Sequence, residues 1–247
     1  MIINSNINII GGLPEFNLIK TFLIKTELQD KSHVEYSDIR TLKSVNRFKK
    51  AISESFTSSN KNLNQLVLPF IEKQSIEENS YLLFLLFSFN NELFKYLNNQ
   101  VFFPVYYSGR KIIKKEEVIA CLVELQKTED TLKSWSESTI TTTASKYLTL
   151  LKKFELLSGV QKKEIVYKNL SSEEFLVFTY FLTIAEENTN KINSDWIKYS
   201  FYEQEFFIEK VLNKQFIQYF EIQYNGDSLK INPTINYDQL YEILKST

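Results

Sequence analysis

The segment that most restricts the fold is the run of residues 134–166, which pairs a predicted amphipathic helix with a glycine-containing turn. Between Ile140 and Phe154 the apolar residues recur at spacings of three and four, the period of a helix with one buried face. The opposite face carries hydroxyl and ammonium groups at the same spacing, on Thr142, Lys146, Thr149 and Lys153. Such a helix followed by a short hairpin is typical of a winged helix-turn-helix module.

The residues before this helix complete the predicted module. Residues 115–125 form its first predicted helix and residues 130–135 its second, and the third begins near Ser138, whose hydroxyl can cap the first amides. The hairpin is predicted near Val160–Tyr167. These elements predict a winged helix-turn-helix over residues 109–170.

The rest of the chain is predicted to be helical, because five glycines and four prolines in 247 residues leave few positions for loops. Ser75 and Glu78 form a capping-box pattern before a long apolar helix over residues 76–98, which we expect at the centre of the fold. Asn225-Gly226 lies between alternating segments and predicts a second hairpin. The predicted regions are an N-terminal helical region (1–108), the module (109–170) and a C-terminal helical region with a winged-helix-like hairpin (171–247). The fold class is mainly α, a helical bundle with two short β-hairpins.

The net charge of −1 hides an uneven distribution. Residues 133–168 carry seven lysines and three glutamates, a net charge of +4, whereas residues 169–247 carry six lysines and twelve acids, a net charge of −6. Binding of a polyanion requires a local basic patch of this kind rather than a basic chain. The alternative interpretation is that these are ordinary solvated lysines.

The basic segment predicts contact with double-stranded DNA. The candidate DNA-binding residues are Thr139, Thr142, Lys146, Thr149, Lys153, Lys162 and Lys163. A second-choice surface lies on a helix predicted to end near Phe56, with Ser37 and Asp38 as caps, and consists of Arg40, Lys43, Arg47 and Lys50. Base reading in the major groove usually relies on Arg, Asn or Gln, which the first face lacks, so we expect little sequence specificity.

The sequence offers no pattern for catalysis or for a metal site. His33 and Cys121 are the single histidine and cysteine, and Gly11-Gly12 lacks the context of a phosphate-binding loop. The acidic pairs lie at predicted helix ends, where carboxylates favour the helix dipole. We therefore expect no enzymatic activity, no cofactor and no metal.

Membrane insertion is not expected either. The longest apolar run, residues 81–89, is too short for a bilayer, which requires about 20 residues. The first residues lack the pattern of a signal peptide. We expect a cytoplasmic protein without membrane contact that is a monomer on its own.

Four short motifs occur along the chain in a recognisable order. They are Trp135-Ser-Glu-Ser-Thr139, Leu151-Lys-Lys-Phe-Glu-Leu-Leu157, Ser194-Asp195-Trp196 and Tyr224-Asn-Gly-Asp227 with Ile231-Asn-Pro233. In these motifs the chain resembles the BrxA family of bacteriophage exclusion (BREX) phage-defence systems.

The resemblance implies a mostly helical accessory protein that acts beside a DNA methyltransferase and ATPase components. It also implies a capacity to bind DNA, and it implies no catalytic residues. A second hypothesis is a protein–protein adaptor, in which the winged-helix units dock onto other BREX proteins.

Overall fold

The computed structural model describes residue 3, residues 6–27, residue 39 and residues 41–246. Contacts divide the chain into two compact units. Unit 1 comprises residues 1–58 and 74–167, and unit 2 comprises residues 59–73 and 168–247. These clusters of contacts do not test the three predicted regions, which stay a prediction.

Helices dominate unit 1. Its α-helices are α1 (Asn6–Ile10), α2 (Leu18–Glu27), α3 (Leu42–Phe56), α5 (Ser80–Asn90), α6 (Glu92–Leu97), α7 (Phe103–Tyr107), α8 (Lys115–Thr128), α9 (Asp130–Lys133) and α10 (Glu137–Lys153). A π-helical turn, Asn98–Phe102, joins α6 to α7. The strands are β1 (Ile112–Ile113), β2 (Leu157–Ser158) and β3 (Lys163–Ile165).

Unit 2 contains the remaining elements. Its α-helices are α4 (Lys61–Lys73), α11 (Ser172–Ala185), α12 (Gln204–Val211), α13 (Lys214–Ile217) and α14 (Leu240–Ser246). A 3₁₀ helix spans Asp195–Ser200, and the strands β4 (Phe220–Tyr224) and β5 (Leu229–Pro233) form an antiparallel pair. The predictions of a mainly α protein and of two hairpins are therefore confirmed.

The core of unit 1 forms around α5, in which every residue from Ser80 to Ser88 is buried. The rings of Phe87 and Phe94 lie 4.8 Å apart, and the ring of Phe154 is 5.9 Å from that of Phe94. Phe154 follows the last residue of α10, so this cluster anchors α10 to α5 and α6. The predicted apolar stripe of α10 is buried, as expected.

Two local predictions are wrong, and a third falls outside the described residues. The predicted helix over residues 76–98 is interrupted at Asn91, whose extended backbone (φ −132°, ψ 100°) ends α5 and whose side chain accepts a hydrogen bond from the Phe94 amide at 2.8 Å. The cap of α10 is Ser136, which accepts from the Thr139 amide, rather than Ser138. The described part of α3 begins at Leu42 after the cap Thr41, and the predicted caps Ser37 and Asp38 lie outside the described residues.

The second hairpin turns differently from the prediction. The paired strands end at Tyr224 and resume at Leu229, and the Asn225 amide donates to the Ser228 carbonyl at 3.2 Å, so the turn centres on Gly226-Asp227 instead of Asn225-Gly226. The Asn225 side chain closes this loop by accepting hydrogen bonds from the amides of Asp227 and Ser228. Gly226 supplies the positive φ of +92° that the loop requires.

No helix in the described part of the chain combines the length and the apolar character needed to cross a bilayer.

Candidate nucleic-acid interface

A groove of about 610 Å³ lies in unit 1 between the start of α8, one face of α10 and the β2–β3 hairpin. Four lysines line it, accompanied by the hydroxyls of Ser145 and Thr149 and by one carboxylate, that of Glu116. The lysines are Lys114, Lys115, Lys162 and Lys163. The groove is therefore a concentrated cationic surface, the kind of site that attracts the phosphates of a nucleic acid.

A three-stranded sheet brings these lysines together. Its strand order is β1-β3-β2, and Ile113 of β1 pairs with Lys163 of β3. Lys114 and Lys115 directly follow β1 and open α8, so the pairing holds the start of α8 beside the hairpin. The sequence does not predict β1, because a strand of two residues is too short to show an alternating pattern.

The turn of the hairpin is tightly closed. Gly159 has a φ of +79°, and a Cβ atom there would lie 2.2 Å from the carbonyl oxygen of Lys162. The ammonium group of Lys163 donates to the carbonyl oxygen of Val160 at 2.8 Å, whereas the side chain of Lys162 is exposed. Lys162 is therefore the more available cation of the pair.

The hydroxyls on α10 already donate within the helix. Thr149 Oγ1 donates to the Ser145 carbonyl and Ser145 Oγ to the Thr141 carbonyl, each at 2.9 Å. Phosphate oxygens accept hydrogen bonds, so these hydroxyls would have to rotate before they could serve a phosphate. The lysines therefore supply the donors of the groove. Thr142 is exposed, and Thr139 is half-buried beside Ser136.

Lys146 and Lys153, two of the predicted contacts, face a different neighbour. The Lys153 ammonium donates to the Leu13 carbonyl at 2.7 Å and lies 5.4 Å from the centre of the Phe16 ring. The Lys146 ammonium lies 3.5 Å from the Gly11 carbonyl oxygen. Both side chains thus cap the carbonyl groups that follow α1, where cations are favourable. The structure does not bring them together with Lys162 and Lys163.

The environment of Lys153 changes its ionisation. Burial, with a smaller contribution from the nearby charge of Lys146, lowers the pKa of its ammonium group from the usual 10.5 to about 8. A cation in this position is held inside unit 1 rather than offered to a ligand.

The second-choice surface is partly outside the described residues. Arg40 is not described, whereas Lys43, Arg47 and Lys50 are exposed on α3. Lys50 lies 3.7 Å from the carboxylate of Glu54. The stripe therefore consists of solvated side chains on one helix, without the concave shape of the groove.

Lys114 and Lys115 were not among the predicted contacts, although the sequence carries a signal for them. They end a basic cluster that starts at Arg110. Arg110 itself is occupied by a two-point ion pair with Glu117, at 2.7 and 2.9 Å, which holds the pKa of that carboxyl below its ordinary value.

The described residues contain no group of three or more His, Cys, Asp or Glu side chains that could hold a metal ion, and His33 lies outside them.

These observations define a mainly α-helical protein with a lysine-lined groove between a three-helix segment and a small sheet. The BrxA family model matches residues 19–178, more than half of the chain, and the chain belongs to the BrxA family. No curated protein matches the chain, and no solved structure does. Membership of the BrxA family suggests a role in BREX phage defence.

Proposed function

We propose that this BrxA protein is an accessory protein of a BREX system that binds double-stranded DNA through the groove of unit 1. One observation carries the proposal: four lysines from two separate segments, residues 114–115 and 162–163, converge on one concave surface. Like charges repel, so their convergence without a matching set of carboxylates favours an anionic ligand.

The order of elements supports a winged helix-turn-helix interpretation of this segment. Helices α8, α9 and α10 are followed by the β2–β3 hairpin, and β1 completes the sheet. In this interpretation α10 approaches the duplex and the hairpin contacts the backbone beside it. Thr142, exposed on α10, and Lys162, exposed on the hairpin, are the predicted contacts that best suit this arrangement.

Binding is proposed to be tolerant of sequence. The groove offers lysine ammonium groups, which suit phosphate oxygens, and Gln161 is its single amide side chain. Phosphate contacts position a protein on DNA, and contacts to base edges provide specificity. A site made mainly of lysines therefore predicts affinity that depends on salt more than on sequence.

Fluorescence anisotropy with a labelled duplex at several salt concentrations tests this proposal. Replacement of Lys114, Lys115, Lys162 and Lys163 by Gln should weaken binding strongly. It should also reduce the slope of log affinity against log salt by roughly 1 for each phosphate that the variant no longer neutralises. An unchanged slope in the quadruple variant would contradict binding in the groove.

A protein–protein adaptor is the second candidate function, and the surface of unit 2 favours it. The side chains of Phe206 and Ile217 are 61% and 55% exposed, respectively. Glu205 and Glu209 are exposed on the same helix as Phe206, within a segment of net charge −6. Exposed apolar side chains with acidic neighbours suit a basic partner, such as another BREX protein.

A pull-down from cells that carry the whole operon, with and without nuclease, separates the two functions. Methyltransferase or ATPase components that remain after nuclease treatment favour docking, and components that disappear favour an association through DNA. Replacement of Phe206 and Ile217 by Ser should release partners that remain, while leaving the affinity for DNA unchanged.

We also propose that the chain has no enzymatic activity of its own. Glu117, Glu173 and Glu174 lie in the first turns of α8 and α11, and Glu117 and Glu174 accept hydrogen bonds from the backbone amides of the helix caps. These structural contacts account for Glu117 and Glu174 without a catalytic role. Incubation of purified protein with supercoiled plasmid, nucleoside triphosphates and divalent metals tests the proposal, and turnover abolished by a single carboxylate substitution would overturn it.

A further inference from the structure

The β4–β5 hairpin of unit 2 has a free side along β4. Backbone hydrogen bonds join Thr234 to Tyr219 and Asn225 to Ser228, at the two ends of the ladder. Because hydrogen-bonded pairs alternate in an antiparallel ladder, Glu221 and Gln223 bond to β5. The amide and carbonyl groups of Ile222 and Tyr224 therefore point away from β5.

No other backbone group in the described part of the chain bonds to Ile222 or Tyr224. The Tyr224 side chain is 44% exposed and that of Ile222 is half-buried, although both are on the side of the strand that faces the buried Leu229 and Ile231. A depression of about 450 Å³ lies along these residues. The edge of β4 thus combines outward-pointing hydrogen-bonding groups with partly uncovered apolar side chains.

The sequence of β4 does little to block this edge, since Glu221 is its single charged residue. Proteins usually protect an exposed edge strand with lysine, proline, a bulge or a covering element. The strand Phe-Glu-Ile-Gln-Tyr contains no lysine or proline, and its register with β5 is uninterrupted. Alternating aromatic and β-branched residues are favourable for pairing with a further strand.

We propose that this edge pairs with the same edge of a second copy of the chain, as two antiparallel β4 strands related by a two-fold axis at Gln223. Ile222 then lies opposite Tyr224 of the second copy, and these two pairs exchange four backbone hydrogen bonds. The two Gln223 side chains face each other. Each side-chain amide can donate a hydrogen bond to the amide of the other copy and accept one from it.

The self-complementary pattern is what favours a second copy over another extended segment. Ile–Tyr is one of the favourable cross-strand pairs of β-branched and aromatic residues. The two-fold axis at Gln223 places Glu221 opposite Asn225 of the second copy, so no like charges meet. An axis at Glu221 would oppose two carboxylates, which is unfavourable.

The contact is short, so the dimer should be weak. A strand of five residues buries far less than the roughly 1,200–2,000 Å² of a stable interface. We expect a monomer at low protein concentration and a dimer that forms as the concentration rises, or as partners hold two copies together. This inference is independent of DNA binding, and it departs from the monomer expected from the sequence.

Disulfide trapping tests the register. In a Cys121→Ser background, Gln223→Cys places two thiols at a non-hydrogen-bonded pair, where Cα atoms are about 4.5 Å apart and within reach of a disulfide. The matched control is Lys230→Cys, which pairs with residue 223 on the same face of the hairpin. The two control thiols would be three strand spacings apart, about 14 Å, which is too far for a disulfide.

Mild oxidation of the full chain should convert the Gln223→Cys protein to covalent dimer at least ten times faster than the Lys230→Cys protein. Equal rates, no dimer from either protein, or dimer from the control alone would overturn the proposal.

A second variant tests the backbone hydrogen bonds. Ile222→Pro removes an amide that β5 does not use, and sedimentation equilibrium should then give a dissociation constant at least tenfold higher, with an unchanged circular dichroism spectrum. An unchanged dissociation constant would overturn the proposal. If this variant does not fold, the cysteine pair decides.

Discussion

The ammonium nitrogen of Lys153 lies 2.7 Å from the carbonyl oxygen of Leu13 and thereby ties the segment after α1 to the end of α10. Next to this bond, the rings of Phe16 and Phe154 meet edge to face with their centres 5.4 Å apart. The lysine is half-buried, and its pKa is about 8. The sequence predicts Lys153 on a DNA-binding face of α10. In the structure it instead contacts protein groups within unit 1.

The depressed pKa of Lys153 predicts how stability depends on pH. Below pH 8 the group is protonated in the folded and the unfolded chain, so its contribution is constant. Between about pH 8 and the unfolded value of 10.5, the folded chain loses the proton while the unfolded chain keeps it. The free energy of unfolding should therefore gain a contribution as pH rises from about 8 to 10.5, and lose it again as pH falls from 10.5 to about 8.

Urea unfolding of the native chain and of Lys153→Met between pH 7 and pH 10 measures this contribution. The free energy of the native chain should rise relative to that of the variant as pH increases. Lys152→Met is the matched control, because Lys152 is exposed on the same helix. A constant difference between the native chain and Lys153→Met would contradict the depressed pKa.

Gly11 allows α1 and α10 to approach closely. A Cβ atom at this position would lie 2.8 Å from the carbonyl oxygen of Ile7 and 2.9 Å from both the Cβ atom and the carbonyl oxygen of Lys146. Gly11→Ala should therefore lower the free energy of unfolding by about 1–3 kcal/mol, since backbone atoms must move. At Gly12 the nearest atom would be 3.1 Å away, so urea unfolding should show a smaller loss for Gly12→Ala.

A buried chain of hydrogen bonds links α10 to the π-helical turn. Tyr147 Oη donates to Asn98 Oδ1 at 2.9 Å, and Asn98 Nδ2 donates to Ser88 Oγ at 3.1 Å. Tyr147→Phe removes the donor from a fully buried amide oxygen and should cost about 1–3 kcal/mol of stability. Tyr167→Phe is the control, because its hydroxyl is exposed and bonds to the Arg110 carbonyl at 3.2 Å. Its loss should leave the stability almost unchanged. Equal thermal shifts in the two variants would contradict a structural role for the buried chain.

The sequence predicts the class of the fold and the buried face of α10, because helical periodicity depends on local spacing. It does not predict where α5 ends, because the break at Asn91 depends on a side-chain cap inside an otherwise continuous apolar run. The two-residue strand β1 is missed because its residues pair with β3 about fifty positions later.

The sequence predicts the lysines that the hairpin contributes to the groove, but it also adds lysines from one face of α10 that do not line the groove. Lys162 and Lys163 follow from the turn at Gly159 and line the groove. Lys146 and Lys153 have the right spacing on α10, but a distant segment of the chain covers them through the carbonyl groups of Gly11 and Leu13. The spacing of residues within α10 cannot show that a distant segment covers this part of the helix.

The most direct test of groove binding compares two double variants that remove the same charge from α10 and from the hairpin. Lys162→Gln with Lys163→Gln removes two groove cations, and Lys146→Gln with Lys153→Gln removes the two that cap the segment after α1. Anisotropy titrations with one labelled duplex at low salt measure both. The account predicts at least tenfold weaker binding for the hairpin pair and, for the α10 pair, a change below threefold in folded protein. Equal weakening in both variants, or a larger effect in the α10 pair, would contradict it.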